Sequence, residues 1–346
     1  MRTAQPFPVQ VENPGDLIAA LPYLLAFHPV DSLVALVLGR TGPKRVVLSL
    51  RVDLPAPRHR RALAHQLLVP ITETEGPVVL VVVGGGTADP PHSLPHRGLV
   101  ESMWAALDSE GVEVACTVWT SATAHGAPWI SYGDPTDRGT VADPDSSEMA
   151  AACTAAGMVT FASRADLAAV VAPDDDESLA RRAKLLDEAT LAAEDAYDPE
   201  QAAHQGVALV GRAVAEAADR ATPLADEEVV ALTIALGDMW VRDRCLAFAI
   251  GPQVMAAERL WTELTRVTPI PERAQPAALL AFSAYLRGDG ALASVALDQA
   301  EEAHPNHRLA SLLRGALDAA LPPEQLTRMI LNASRSGWSS DGPRWP

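Results

Sequence analysis

The fold of the second half of this chain is decided by residues 280–306, LAFSAYLRGDGALASVALDQAEEAHPN. Two short amphipathic segments flank a Gly-Asp-Gly turn, and a proline follows the second segment. In that second segment Leu292, Val295 and Ala296 recur at helical spacing, while Glu301 lies off the apolar stripe. The pattern predicts a helical hairpin whose second helix covers its apolar side with a neighbouring element.

The same stretch resembles one tetratricopeptide repeat, a unit of two packed helices. The matching residues are Leu280, Gly288, Asp289, Ala293, Ala300, Pro305 and Asn306. Ala281 stands where the repeat usually has glycine. The resemblance implies a packing unit and not a reaction, and a single match falls short of the roughly three repeats that a self-sufficient solenoid needs.

Length and composition predict two domains with an aliphatic interior. At 346 residues the chain exceeds the roughly 100–200 residues that one hydrophobic core usually organises. Apolar residues make up 48% of the chain, but aromatic residues make up only 5%. Alanine, valine and leucine must therefore fill most of the interior, which suits helices that pack closely.

Charge, cysteine spacing and apolar runs exclude several classes of protein. The formal net charge is −17, so phosphate backbones and anionic lipids are repelled at long range. The three cysteines lie far apart without C-x-x-C spacing, which indicates neither a disulfide framework nor a zinc site. The sequence shows no signal core and no apolar run of about 18 residues. We expect a cytoplasmic protein that binds neither nucleic acid nor membrane and carries no cofactor or metal.

Residues 1–135 have the pattern of a mixed-sheet α/β domain with crossover helices. Asn13 and Pro14 open the first helix, because asparagine suits the N-cap and proline suits the first helical position. Val78–Val83 is entirely apolar, the pattern of a strand buried on both faces. The other predicted elements are strands at 32–38, 45–54, 112–120 and 129–132, the last an edge strand, and helices at 58–68 and 96–109.

Composition changes at residues 136–147, where turn formers and charged residues replace apolar periodicity and predict a linker. Residues 148–333 show helical periodicity interrupted by glycine and proline, which predicts an all-α domain. Within this domain we expect repeat-like hairpins at residues 240–332. Residues 334–346 are expected to form a mobile tail.

Several segments together are similar to one known family. They are PGDLIAALPYLLAFHPVDSLVALVL at residues 14–38, Arg-Val-Asp at 51–53, Ser-Arg-Ala-Asp-Leu at 163–167, Val-Arg-Asp at 241–243 and the hairpin at 276–305. On these segments the chain resembles the actinobacterial domain-of-unknown-function family 4192 over nearly its whole length. The family name carries no activity, so the resemblance implies no reaction. Many members carry cysteines in the loop after the last predicted strand, whereas this chain has none there, so the resemblance supports no metal or redox role for that loop.

Five residues near the ends of predicted elements form the first candidate site. His28, Asp31 and Ser32 lie between a helix and a strand, where they could supply an acid–base or nucleophilic set at the rim of a sheet. Their close spacing disfavours a catalytic relay, and the alternative is that they cap the helix and the following turn. Arg51 and Asp53 share one strand face, where they form either an anion site or an ion pair at a solvated edge.

A second candidate is the basic cluster that contains Arg58 and Arg60. It lies at the start of a predicted helix, whose free amides favour a phosphate or carboxylate, and the alternative is an exposed solvated cluster. Gly84–Gly86 follows the most apolar strand as a phosphate loop would, but the third glycine of G-x-G-x-x-G is absent. His92 and His96 have metal-like spacing, yet a proline between them prevents a regular helix, so we expect loop histidines.

The helical half carries one polar cluster, formed by Asp238, Trp240, Arg242 and Asp243. Asp238 and Arg242 are four residues apart, the spacing of a surface ion pair on a helix. The alternative is an interdomain lock or a contact with a partner. Trp240 and Trp261 are expected in the core because the chain has few aromatic residues.

These observations leave two classes of function. We favour a non-catalytic protein-interaction or regulatory module with an unidentified protein partner, because repeat-type helical surfaces commonly bind proteins and no catalytic constellation is present. The alternative is an enzyme or sensor that binds a small molecule or an anion at the strand ends of the α/β domain.

Overall fold

The computed structural model describes residues 13–40, 45–85, 93–146, 148–155, 159–193 and 199–328. The chain divides into two compact units, with the boundary between Leu167 and Ala168. The first unit contains a mixed sheet and the second is helical, as the sequence predicts. Among the described residues, no helix has both the length and the apolar character needed to cross a membrane. The tail predicted at residues 334–346 lies outside the described residues.

The first unit contains the elements predicted for residues 1–135 in the predicted order, and further elements follow them. Its elements are α1 (Pro14–Leu25), β1 (Ser32–Leu38), β2 (Val46–Asp53), α2 (Arg60–Thr74), β3 (Val78–Val83), α3 (Arg97–Ser109), β4 (Val114–Thr120), β5 (Pro128–Ser131), β6 (Arg138–Thr140), α4 (Glu148–Ala155) and α5 (Arg164–Ala169). The predicted cap of α1 is present, because the Asn13 side chain accepts a 2.9 Å hydrogen bond from the Gly15 amide. Pro22 does not end α1, which continues to Leu25.

Within the described residues, the sheet has six strands in the order β2-β1-β3-β4-β5-β6. β3 and β4 are parallel, and every other neighbouring pair is antiparallel. The expectation that β5 is an edge strand is wrong, because β6 pairs with it along its outer side. β6 lies inside the predicted linker at residues 136–147, so part of that segment belongs to the sheet. Its sequence, Arg-Gly-Thr, is too short and polar to show a strand pattern.

Helices cover the central strands, as their apolar sequences require. Every residue of β1 and β3 is buried. α2 and α3 pack against each other, and one hydrophobic core joins both helices to the sheet. Leu80, Leu99 and Trp119 are among its fully buried members. The carboxyl ends of β3 and β4 lie side by side at one end of the sheet, where the loops that follow them begin.

The first unit extends past the predicted linker into the segment that has a helical pattern. α4 packs against α1, although α4 comes after the linker in sequence. Phe27 and Phe161 form a parallel bridge, and the His28 amide donates a 3.1 Å hydrogen bond to the Phe161 carbonyl. These contacts place the boundary after Leu167, although helical periodicity begins earlier in the chain.

The second unit is built from helices in its described residues. They are α6 (Asp176–Ala193), α7 (Pro199–Ala217), α8 (Asp226–Gly237), α9 (Met239–Cys245), α10 (Val254–Val267), α11 (Ala274–Arg287), α12 (Gly290–Ala303) and α13 (Arg308–Asp318). α11 and α12 pack against each other. Between them Gly288 has a φ of 86°, and the Asp289 side chain caps α12 by accepting a 2.9 Å hydrogen bond from the Leu292 amide. The repeat-like stacking of residues 240–332 remains a prediction.

Candidate functional site

The candidate site lies where four strands of the sheet end or begin. The parallel strands β3 and β4 end side by side, with Val83 paired to Thr120. β1 begins and β2 ends next to them, because Ser32 is paired to both Val83 and Asp53. We call this place the rim. It comprises His28, Asp31, Ser32, Arg51, Asp53, Arg60, Gly84, Gly85, His96 and Thr123.

Two glycines bring the backbone of the rim close to Asp31. Gly84 and Gly85 have φ values of 76° and 78°. A Cβ on Gly84 would lie 2.7 Å from Asp31 Oδ1, and the Gly85 amide donates a 3.0 Å hydrogen bond to that oxygen. Asp31 has a φ of 43°, which is uncommon for a residue other than glycine. The hydrogen bond therefore holds an unusual backbone conformation at the start of β1.

Gly84 is fixed in turn by the end of β4. Its amide donates a 2.9 Å hydrogen bond to the Thr120 carbonyl. Its carbonyl accepts a 2.9 Å hydrogen bond from Trp119 Nε1. Because Trp119 is fully buried, the loop after β3 is anchored to the core of the unit.

His96 and Arg60 each pack against a glycine, in the space that a side chain would otherwise fill. His96 Nε2 lies 2.5 Å from the position that a Cβ on Gly85 would occupy. Arg60 Nη1 lies 2.7 Å from the equivalent position on Gly98. Burial and the positive charge of Arg60 lower the pKa of His96, and the negative charge of Asp31 opposes them. The imidazole of His96 is therefore neutral at pH 7.

Each of these two side chains buries a polar atom that has no partner. Arg60 Nε and His96 Nδ1 make no hydrogen bond with any described residue. Leaving a buried donor or acceptor unsatisfied costs about 1–3 kcal/mol, and most buried polar groups in proteins are paired. Arg60 and His96 are close enough for the charge of Arg60 to act on His96, so the two unpaired atoms belong to one part of the rim.

Arg51 ties β1 to β2 and already has several partners. Its Nε donates a 2.8 Å hydrogen bond to Ser32 Oγ, and its Nη2 lies 2.6 Å from Asp53 Oδ1. Its guanidinium carbon lies 5.8 Å from the centre of the Phe27 ring. Ser32 Oγ donates a 2.7 Å hydrogen bond to the Val30 carbonyl. Of the two alternatives for Arg51 and Asp53, the structure shows the ion pair, so Arg51 holds the rim together.

The capping roles expected for the first candidates are wrong in two respects. α1 ends at Leu25, so His28 does not end it, and His28 Nδ1 instead lies 2.8 Å from Thr123 Oγ1 in the loop after β4. Asp31 bonds to Gly85, which is 54 residues away, and not to an amide of its own turn. Sequence reasoning missed Thr123 because the Ser-Ala-Thr that follows β4 matches no motif.

Arg58 lies apart from this group. Its side chain is exposed, and its Nε donates a 3.1 Å hydrogen bond to the ring of His59. Both residues belong to a 3-10 turn, and α2 begins only at Arg60. Arg60 is therefore the member of the predicted basic cluster that reaches the rim. Gly86 and His92 lie outside the described residues.

The candidates of the helical unit form a separate cluster on α9. Asp238 caps this helix by accepting hydrogen bonds of 2.7 Å and 3.3 Å from the amides of Trp240 and Val241. Arg242, which is only 8% exposed, pairs with Asp243 at 2.5 Å. The expected surface pair between Asp238 and Arg242 is therefore wrong, because the cap at the start of α9 engages Asp238.

Trp240 is a second correction in this cluster. Its side chain is 39% exposed, whereas Trp261 is fully buried as expected. The guanidinium carbon of Arg244 lies 4.0 Å from the centre of the Trp240 ring, and the ring of His204 lies 5.4 Å away. These two side chains cover part of the indole, so Trp240 packs at the surface and not in the core.

At the rim, Arg60, His96 and Asp31 present a guanidinium, a neutral imidazole and a carboxylate beside backbone that glycine keeps open. These groups suit a ligand that has an anionic group together with a hydrogen-bond donor. Among the described residues, no group of three or more His, Cys, Asp or Glu side chains is placed to hold a metal ion.

The fold and the rim define a protein of two units, in which an α/β unit with a candidate ligand site precedes a helical unit. The chain belongs to a family described as a domain of unknown function (DUF4192), whose model matches residues 14–324. This match confirms the family resemblance seen in the sequence. No curated protein and no solved structure matches the chain significantly.

Proposed function

We propose that the α/β unit binds a small anionic molecule at the rim, through a phosphate or carboxylate group held by Arg60 and His96. The observation that carries this proposal is the pair of buried atoms without partners, Arg60 Nε and His96 Nδ1. Oxygen atoms of an anion accept hydrogen bonds from a guanidinium and from Nδ1 of a neutral imidazole in the tautomer that carries its hydrogen on that nitrogen. A bound anion would therefore satisfy both atoms.

Asp31 sets the second requirement on the ligand. Its carboxylate is exposed at the rim and already accepts one hydrogen bond from the Gly85 amide. It can accept another from a hydroxyl or amino group, whereas its negative charge opposes a bare anion. A small phosphate ester or carboxylic acid that also carries a hydroxyl group meets both requirements.

Thermal unfolding of the full chain tests this function with inorganic phosphate and with glycerol 3-phosphate, both at matched ionic strength. We expect both to raise the melting temperature, and glycerol 3-phosphate to raise it more, because a ligand that binds the native state stabilises it. Arg60→Gln should remove the rise, because this change deletes the cation and keeps a polar side chain.

Arg61→Gln is the matched control. Arg61 is the next residue of α2, carries the same charge and is exposed. This variant should keep the response of the unmodified protein. If the unmodified protein shows no shift with either compound, or if both variants lose the shift equally, the rim is not an anion site.

Protein interaction is the second candidate function. The observation that favours it is the surface at the start of α9, where Met239 is 59% exposed and Trp240 is 39% exposed. Methionine and tryptophan are enriched at the centres of protein interfaces. The rim has the stronger support, because leaving its two buried atoms unpaired costs free energy, whereas single exposed apolar residues are common on protein surfaces.

A further inference from the structure

A groove of about 690 Å³ lies at the end of β4 opposite to the rim. One wall is the carboxyl-terminal part of α3, the floor is the first half of β4, and the other wall is the end of β5. The lining residues are Trp104, Ala105, Asp108, Val112, Glu113, Val114, Ala115, Cys116, Thr117, Ser131 and Gly133. The groove is separate from the site of the proposed function.

The groove runs along a part of β4 that has a neighbouring strand on one side only. β5 pairs with residues 118–120 of β4, and the last contact is a 2.9 Å hydrogen bond from the Tyr132 amide to the Thr117 carbonyl. Among the described residues, Val114 and Cys116 of β4 pair with β3 alone, and Ala115 lies between them at a shift in the register. Unpaired strand backbone of this kind presents donors and acceptors that another extended chain can use.

The walls of the groove suit an extended chain in that position. Trp104 is half-buried, and its Nε1 donates a 2.9 Å hydrogen bond to Thr117 Oγ1, so its indole has a fixed orientation beside the open edge. Gly133 lies just after the end of β5 and has no side chain. It therefore leaves the groove beside β4 open at the point where β5 ends. A strand added beside β4 would lie about 4.8 Å from it.

The charge of the groove is negative. Asp108 and Glu113 are exposed, and no arginine, lysine or histidine is among the lining residues. Burial, and then the negative charge of Asp137, raise the pKa of the Cys116 thiol to about 11. Cys116 is therefore a protonated thiol at neutral pH and part of the wall.

We propose that this groove binds an extended peptide that carries lysine or arginine side chains, which adds as a strand to the open edge of β4. The backbone of residues 114–116 supplies the pairing, and the carboxylates of Asp108 and Glu113 select basic side chains. The open edge is short and lies beside carboxylates, which limits pairing with apolar or acidic strands.

Fluorescence anisotropy with the full chain tests the proposal, and the probe is a fluorescein-labelled peptide of about eight residues in which valine and lysine alternate. We expect this peptide to bind at least about tenfold more tightly than two relatives. One relative has glutamate in place of lysine. The other is N-methylated at every backbone amide, so that it keeps the charge but cannot donate to β4.

Charge reversal locates the site. The double variant Asp108→Lys with Glu113→Lys should weaken binding of the valine–lysine peptide by about tenfold or more. The control is Glu101→Lys with Glu110→Lys, which changes the net charge equally at exposed positions outside the groove. The control should bind as the unmodified protein does, because its changed residues lie outside the groove. Equal loss of binding in both double variants would mean that the peptide is attracted only by the total charge of the protein, which overturns the proposal.

Hydrogen exchange shows whether the peptide binds at this edge or at another edge of the sheet. The bound valine–lysine peptide should slow exchange of the amides of residues 114–116 and leave those of the edge strand β2 unchanged. Equal binding of the N-methylated peptide, or protection of β2 alone, overturns the proposal. Protection of residues 114–116 in the free protein, with a sedimentation coefficient that rises with concentration, would assign the edge to a second copy of the chain and overturn it too.

Discussion

Gly84 shows how much a single residue of the rim depends on the absence of a side chain. Its φ is 76°, and an added Cβ would lie 2.7 Å from Asp31 Oδ1. Gly84→Ala should therefore combine a backbone penalty of about 1–2 kcal/mol with the displacement of Asp31, which adds about 1 kcal/mol or more. Chemical denaturation of the full chain measures the loss in free energy of unfolding.

Gly126 supplies the control for this prediction. It has the same φ of 76°, but an added Cβ would meet nothing within 4 Å. Gly126→Ala should therefore show the backbone penalty alone. An equal loss in the two variants would mean that the contact between Gly84 and Asp31 does not constrain the rim.

The sequence predicts where the candidate residues of the rim lie better than it predicts what their side chains do. The candidates nearest the strand ends all lie at the rim, because residues beside the ends of neighbouring strands must come close. The sequence pattern places Arg60 in a basic cluster and His96 in a loop, and it does not show that the two side chains lie close together. Their distinguishing property is a buried atom without a partner, which depends on what packs around each side chain.

The Arg182 side chain connects three parts of the helical unit. This side chain of α6 donates hydrogen bonds of 2.8 Å to Asp226 on α8, 3.0 Å to Asp174 and 3.2 Å to the carbonyl of Val267 on α10. It is 8% exposed. Arg182→Ala should lower the free energy of unfolding by about 2 kcal/mol, because it removes three hydrogen bonds of a buried side chain, including the one to the Val267 carbonyl.

The neighbouring residue Arg181 is the matched control. It also pairs with Asp226, at 2.6 Å, but 51% of its side chain is exposed. Hydrogen bonds from Arg181 and Arg182 lower the pKa of Asp226. Because water screens an exposed pair, Arg181→Ala should cost much less in a urea titration. A cost equal to that of Arg182→Ala would show that burial of the guanidinium is unimportant.

Strands differ in how well their sequences predict them. β3 is six apolar residues and lies in the middle of the sheet, because only a strand covered on both faces tolerates such a run. β6 has no apolar pattern and forms because the outer side of β5 offers hydrogen bonds to it. An element stabilised mainly by its neighbour leaves little signal in its own residues.

At the scale of the whole molecule, the division into two compact units predicts two thermal transitions. Calorimetry of the full chain should resolve them. Gly84→Ala should lower the temperature of one transition, and Arg182→Ala should lower that of the other, because each change lies within one unit. A single transition that both variants shift equally would contradict this prediction.

Local sequence patterns predict the types of most elements, the central place of β3 and membership of the family matched over residues 14–324. Those properties follow from periodicity and turn chemistry within short stretches of chain. The folded arrangement of the strands brings Arg60, His96 and Asp31 together at the rim and leaves an open edge along residues 114–116 of β4. Such contacts depend on strand order and strand length, since they join residues that no local pattern connects.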